Sequence, residues 1–485
     1  MTIHSDWGRL LHKECPQAFL SKIPCHVKFG VGVIDGHLQL MCLNPGLGSW
    51  DRFLQFLYIN PIKRLFAAGC PTVVLCFDSY DSVPIYKSMT QAKRSRPHQG
   101  NICNFGPHDM LPGFIPEEPM VYLMNRNFKL KVIDFVCGRL PSLIALEKHQ
   151  RFILDYKQVV EYTLQNKNVP TLVQDMVPIG ESDVKFTRYV DLFGNALVHA
   201  IDGDYMMIAL LYYAKRGLDH KIFIFRQLST LNPKPTSDRA QGNKRKHTMD
   251  DDEDEDEEEN HDHCTTSNET KTKKKKRVVQ KCWVDMHLLY NAIAQSCLRT
   301  GGGAVIDIYT QQPYAAADMV HSVVFLMLCA GTDFSRPLPL LGPKRLWESM
   351  PSILGVLLHA ARKDGLKPEL FAAGVIGPLY SNLFARHVSE ETFFPPGEAQ
   401  CPPLVFLQRV LEQIRQAHTL APRTRGRIPS QERIMVTLKN IAWVVRYWTV
   451  LNAPIEAPLD GSNGFVRNIK GEIVFEDAVA GPPDG

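Results

Sequence analysis

The chain has 485 residues, 45% of them hydrophobic and 22% charged, which suffices for two or three packed domains and excludes a wholly disordered or fibrous protein. Twelve scattered cysteines without a CxxC pair, and a first segment (MTIHSDWGRLLHKECP) without an apolar run, argue against a secreted disulfide scaffold and for a soluble protein in a reducing, intracellular setting. The net charge of +4 hides a split: ten acids crowd into DDDEDEDEEE at 250–259, and setting them aside raises the rest of the chain to +14, a surplus suited to an anionic partner such as nucleic acid.

In chain order, KFGVGVID (28–35) and PTVVLCFD (71–78) read as short buried strands, each flanked by Pro or Gly and each closing on an aspartate. Helical spacing of apolar residues lies between them, over 51–68. Residues 196–201 form a third strand followed by Asp202, and 221–225 (KIFIF) a fourth. Strands alternating with helices predict an α/β fold with a central, mostly parallel sheet flanked by helices, whose carboxyl rim gathers the strand-end acids. From 229 to 277 the pattern gives way to KRK (244–246), the acid run and KTKKKKR (271–277), a composition too polar to build a core and expected to be disordered. Order resumes with the strand VVQKCWVD (278–285), and helical spacing follows over 286–298, 315–330, 346–362, 404–418 and 430–450. The last two dozen residues, rich in Pro and Gly, read as a loose tail.

Seven acids stand in apolar settings: Asp35 and Asp78 at strand ends, Glu181 and Asp183 opening a helix in IGESDVKFTRYV, Asp202 and Asp204 after ALVHAI, and Asp333 in FLMLCAGTDFS. A buried carboxylate must be paired, hydrogen-bonded or metal-bound, and most of these have no Lys or Arg beside them in the sequence. Oxygen ligands without His or Cys suit Mg²⁺ or Mn²⁺ rather than Zn²⁺. Two such cations about 4 Å apart activate water and stabilise the leaving oxygen of a phosphodiester, chemistry that demands a dense acidic patch. Any one of these residues is as readily explained as a helix cap or turn former; all seven together are not.

Four blocks carry a family likeness: VGVIDG (31–36), VVLCFD (73–78), the GESD and IDGD pair (180–204), and LCAGTDFSRPLPLLGPKR (328–345). With SVPIYKSMTQAKRSR at 82–96, the chain resembles the flap endonuclease/XPG family of structure-specific 5′ nucleases, over roughly residues 1–360 outside the insert. The resemblance implies a PIN-like nuclease core (1–228, with a helical arch at about 79–130), the charged insert (229–277), the core continued (278–362, with a helix–two-turn–helix at about 328–350) and a helical extension with a loose tail (363–485). It implies two Mg²⁺ ions, replaceable by Mn²⁺, on Asp35, Asp78, Glu181, Asp183, Asp202, Asp204 and Asp333. It assigns Lys87 and Arg94 to the scissile phosphate, with Lys93 and Arg96 beside them, and Gly342, Lys344 and Arg345 to a duplex-gripping turn that takes a monovalent cation such as K⁺. The implied activity is hydrolysis of flapped, branched or junction DNA, by flap endonuclease or 5′–3′ exonuclease action, in replication, repair or recombination alongside proteins of those processes.

The chain departs from the family in four ways: residue 2 is Thr where Gly is usual, Asp183 stands where Glu is usual, the segment between Asp78 and Glu181 is long, and the insert lacks a counterpart. No sliding-clamp motif appears near the carboxyl terminus. KTKKKKR reads as a nuclear localisation signal, a nonspecific nucleic-acid contact or a balance to the acid run, so the expected location is the nucleus or, for a large DNA virus, a cytoplasmic replication site. His261, His263 and Cys264 fall inside the low-complexity insert and read as incidental; Gly301–Gly303 lacks the Lys-Ser/Thr of a phosphate-binding loop. The competing reading is a catalytically weak nucleic-acid-binding scaffold on the same fold.

Overall fold

The computed structural model describes the chain except residues 1–3, 79–102, 167–170, 174–175, 177–179, 232–276, 308–310, 333, 363–364, 386–401, 418, 450–460, 463, 469–472 and 477–485. It divides into a main unit, Met1–Gln227 with Lys281–Gly485, and a second unit, Leu228–Gln280. Lys87, Lys93, Arg94 and Arg96, from the segment expected to form an arch, and Asp333 lie outside the described residues.

Nine strands form one mixed sheet: β1 (Phe19–Leu20), β2 (Val31–Asp35), β3 (Thr72–Cys76), β4 (Arg151–Asp155), β5 (Val159–Thr163), β6 (Thr171–Leu172), β7 (Ala196–His199), β8 (Ile222–Leu231) and β9 (Arg277–Asp285), in the order β1-β9-β8-β7-β2-β3-β4-β5-β6. Its centre is parallel: β2 pairs with β3 and with β7, β3 with β4, and β7 with β8. Antiparallel strands β5 and β6 extend one side, and β1 pairs antiparallel with β9 at the other. The central strands read as continuous apolar runs because both faces are covered. Val31, Val33, Val74 and Cys76 point into one core cluster, and Ile34, Val73 and Leu75 into the other.

The expected helix at 51–68 runs as Trp50–Leu54, a π-helical turn Gln55–Ile59 and Asn60–Ala67, so its wider central turn precedes Pro61, which lacks an N–H to donate. The longer helices that follow are α1 (Arg126–Leu143), α2 (Ser182–Phe193), α3 (Asp204–Arg216), α4 (Met286–Thr300), α5 (Ala316–Leu328), α6 (Pro343–Ala360), α7 (Pro403–Gln416) and α8 (Gln431–Thr449). Five of the expected helices are therefore found within three residues of their anticipated ends.

The ends of two strands overlap the polar segment 229–277, since β8 runs on to Leu231 and β9 begins at Arg277. The tail was expected to be loose, yet Phe465–Arg467 pairs with Ile473–Phe475 as a small antiparallel sheet, with the Phe465 and Phe475 rings stacked at 4.8 Å. A short aromatic pair can hold such a hairpin where Pro/Gly composition alone suggests none. The ten described cysteines are free thiols, and among the described residues no helix is long and apolar enough to cross a membrane.

Candidate active site

From β2 the chain proceeds to β3 and β4 on one side, and the later β7 and β8 lie on the other. The connections thus leave β2 and β7 in opposite directions, which opens a crevice beyond the carboxyl ends of these neighbours. Asp35 closes β2, Asp78 lies just past β3, and Asp202 and Asp204 follow β7. Glu181 and Asp183 come to the same rim on the first turn of α2, because the Ser182 N–H donates to Asp78 Oδ1 (2.9 Å) and the Ser182 hydroxyl to Asp35 Oδ1 (3.4 Å).

Asp35 also accepts the N–H groups of His37 (3.0 Å) and Leu38 (3.2 Å), capping the short helix Gly36–Leu40. Asp285 caps α4 in the same manner at the end of β9, so capping alone does not mark a site. What sets Asp35 apart is its surroundings. Burial first, then the charges of Asp78, Asp183 and Asp202, push its carboxyl up to about 7, against the lowering effect of the Leu38 N–H. The hydroxyl of Tyr205, fully enclosed, is held well above its usual range by burial and by Asp35 and Asp183. Glu181 and Asp204 are both 0% exposed, and neither side chain caps its helix. Asp202 is half-buried and accepts the Asp204 N–H (3.3 Å). Gly36 allows the close approach: a Cβ there would stand 2.5 Å from the Phe77 ring.

Six of the seven predicted acids therefore share one rim, the seventh lying outside the described residues. Gly342, Lys344 and Arg345 belong to a different element, the exposed start of α6, where Gly342 is the N-cap and Arg345 donates to the Leu340 carbonyl (3.0 Å). The α5–α6 connection is ordered by Thr332, whose hydroxyl accepts the N–H groups of Phe334 (3.0 Å) and Ser335 (3.1 Å).

The sequence reading found few basic neighbours for the acids; the structure supplies two buried ones. Lys185, on α2, donates to the Phe77 carbonyl (2.6 Å), immediately before Asp78, and pairs with Asp155 (2.9 Å). Arg226, on β8 and 3% exposed, donates to the Ile201 carbonyl, immediately before Asp202. Burial pulls the Arg226 guanidinium down from its ordinary value while Asp202 and Asp204 oppose the shift. His37 was also missed: its Nδ1 lies 3.5 Å from Asp78 Oδ2 and 3.3 Å from the Asp78 N–H. Asp155 carried a legible signal, since RFILD closes an apolar run on an aspartate as β2 does.

The donor set fits a hard divalent cation in kind: all oxygen, buried and mutually repelling. Among the described residues, however, no three His, Cys, Asp or Glu side chains are grouped so as to form a metal cage by themselves. No known family model matches the chain, and no curated protein matches it.

Proposed function

We propose that the chain is a metal-dependent, structure-specific nuclease with a PIN-like core that hydrolyses DNA phosphodiester bonds. The observation that carries this reading is the convergence of Asp35, Asp78, Glu181, Asp183, Asp202 and Asp204 at the carboxyl rim where the sheet order reverses. A carboxyl raised to about 7 by burial and three acidic neighbours belongs to a crowded acidic patch. Two divalent cations, Mg²⁺ or Mn²⁺, would relieve that crowding and supply an activated water and a stabilised leaving oxygen.

In this reading the six acids and Asp333 hold the cations, Lys87 and Arg94 face the scissile phosphate, and Lys93 and Arg96 bind the strand nearby. The exposed start of α6 is suited to duplex phosphates: its first N–H groups, Lys344 and Arg345 present positive charge without reading bases. The α5–turn–α6 arrangement then serves as the helix–two-turn–helix, with K⁺ at the turn. Flapped or branched DNA is the substrate class, and the nucleus or a viral replication site the setting.

The test is cleavage of end-labelled flap, nick, gap, junction and single-stranded DNA with Mg²⁺ and with chelator. Mg²⁺-dependent cleavage of at least one branched form is expected. Binding of all forms without cleavage of any would leave a nucleic-acid-binding scaffold instead.

A further inference from the structure

Beneath the Asp78 side of the rim lies a set of buried charges that the chemistry above does not use. Lys185, Asp155 and Arg188 are each at most 2% exposed, and α2 is buried along its first three quarters, from Ser182 to Val190. The Lys185 ammonium has three oxygen neighbours: the Phe77 carbonyl at 2.6 Å, the Asp155 carboxylate at 2.9 Å and the Asp155 carbonyl at 3.4 Å. The other carboxylate oxygen of Asp155 accepts from Arg188 and from the Tyr189 hydroxyl (2.7 Å), and Arg188 also donates to that hydroxyl (3.2 Å). The Phe77 peptide is thus held at both ends, because its N–H donates to the Asp155 carbonyl (2.9 Å).

Burying three charges is an expensive way to make a core, and well-packed apolar residues in their place are often neutral or stabilising. What the set provides is geometry. The Phe77 peptide leads directly into Asp78; Lys185 lies one helical turn beyond Glu181 and two residues beyond Asp183; Asp155 ends the neighbouring strand.

We propose that Lys185, held by Asp155 and through it by Arg188 and Tyr189, is a positioning residue that locks the backbone leading into Asp78 to the helix start carrying Glu181 and Asp183, so that this side of the rim stays one rigid unit behind a divalent cation. The proposal rests on the metal-site reading. Support behind ligands of this kind typically changes metal affinity 10- to 100-fold.

The experiment is thermal melting of the full chain, freed of metal with chelator and then titrated with Mg²⁺ alone, without DNA. Wild type should gain stability with a definite Mg²⁺ midpoint. Lys185→Met keeps the side-chain stem and leaves Asp155 paired with Arg188; its midpoint should move at least about tenfold higher. Tyr189→Phe, a milder change, should move it in the same direction with the fold intact. Val444→Ala, a fully buried site on α8, should lower the metal-free melting temperature and leave the midpoint in place. If Lys185→Met folds and titrates as wild type does, the set is a structural brace only and the proposal falls. Should Lys185→Met fail to fold, Tyr189→Phe decides: a shifted midpoint sustains the proposal and an unshifted one overturns it. A wild type that gains nothing from Mg²⁺ would overturn the metal reading and this proposal together. A wild type that responds, with variants unshifted, would remove this proposal alone.

Discussion

The two flanks of the acidic rim are built on different plans. Behind Asp78, a lysine, an arginine, a tyrosine and an aspartate bond to one another, and the lysine grips the Phe77 carbonyl, so the backbone under the acid is held by groups that are themselves held. Behind Asp202 and Asp204, the corresponding carbonyl, that of Ile201, is held by Arg226, which also answers electrostatically to the two acids themselves. In both cases a buried cation holds the carbonyl just before a rim aspartate. The first cation pairs with an acid away from the rim, and the second answers to the acids of the rim. The difference predicts that the first flank keeps its shape whatever binds in front of it, whereas the second redistributes charge when a cation arrives.

Substituting one acid on each flank should have the largest effects and should separate them. Asp78→Asn and Asp204→Asn are each expected to lower Mg²⁺-dependent cleavage about a thousandfold or more, equivalent to roughly 4 kcal/mol of transition-state stabilisation. Single-turnover cleavage measures this, while DNA binding should persist or tighten as repulsion of the phosphates falls. Their metal-free stabilities should differ in sign. Asp78→Asn relieves Asp35 of a like charge and keeps an oxygen for the Ser182 N–H, so it should melt no lower than wild type. Asp204→Asn takes a counter-charge from buried Arg226 and should melt lower. Cleavage at wild-type rates by both variants would end the two-metal reading.

Arg226→Met tests the second flank directly. Removing one partner of a buried charge set costs about 3–5 kcal/mol, so urea unfolding in chelator should show a loss of that order. Added Mg²⁺ should recover part of it, since a cation in front of Asp202 and Asp204 replaces the missing positive charge. Equal losses with and without Mg²⁺ would mean that Arg226 serves packing alone.

Asp35 gives the shared rim a pH signature. Its folded carboxyl sits near 7 and an unfolded one near 3.8, so between these values the folded state holds a proton that the unfolded state releases. The contribution is complete below about pH 4 and is lost as pH rises through about 7. Metal-free protein should therefore lose stability over that window, by a few degrees of melting temperature, and Asp35→Asn should flatten the slope. Stability that rises with pH across the window would contradict the crowding inferred at Asp35.

Much of the rim was legible because its acids end or follow short apolar strands, where a carboxylate must cap, pair or bind a cation, and because so many do so in one chain. The parallel centre followed from strands buried on both faces, and the helices of the carboxyl half from their spacing. The supporting cations were not legible. Lys185 and Arg188 stand in SDVKFTRYV among ordinary helix residues, and nothing local distinguishes a buried lysine from a solvated one; only α2 being enclosed on every side does. Arg226 follows KIFIF and reads as the polar end of a strand, since the pairing of β7 with β8 that brings it beside Ile201 is long-range. Strands β4 and β5 escaped because RFILD and VVEYT are short and close together, and β3, which ties their hairpin to the sheet, is distant in the chain.

Away from the rim, Lys344 and Arg345 should affect grip and not chemistry. Changing both to Ala is expected to weaken binding of duplexes of any sequence and to reduce the slope of log affinity against log salt by about one unit per residue. Cleavage at saturating DNA should change little. A salt slope equal to wild type in a fluorescence binding titration would take the start of α6 out of the interface.

The smallest effect is expected from the charged insert, provided the cut respects the strands. The composition of the insert invites removal of everything from 229 to 277, yet that would trim Ser229, Thr230 and Leu231 from β8 and Arg277 from β9. Because β9 also pairs with β1 at the sheet's edge, losing its start would release more than a polar loop. Deleting residues 236–272 and joining the ends with a short Gly-rich turn spares both strands. The lost segment carries the run of ten acids and too little apolar surface to contribute a core. Loop closure changes only slowly with length, so shortening the connection should move stability by less than about 1 kcal/mol. Melting temperature and Mg²⁺-dependent cleavage should therefore match the full chain. The wider cut, 229–277, should melt lower, and the difference between the two deletions measures what the strand ends contribute. Should the narrow deletion lose its cooperative transition, the insert packs against the body and the compositional argument is wrong.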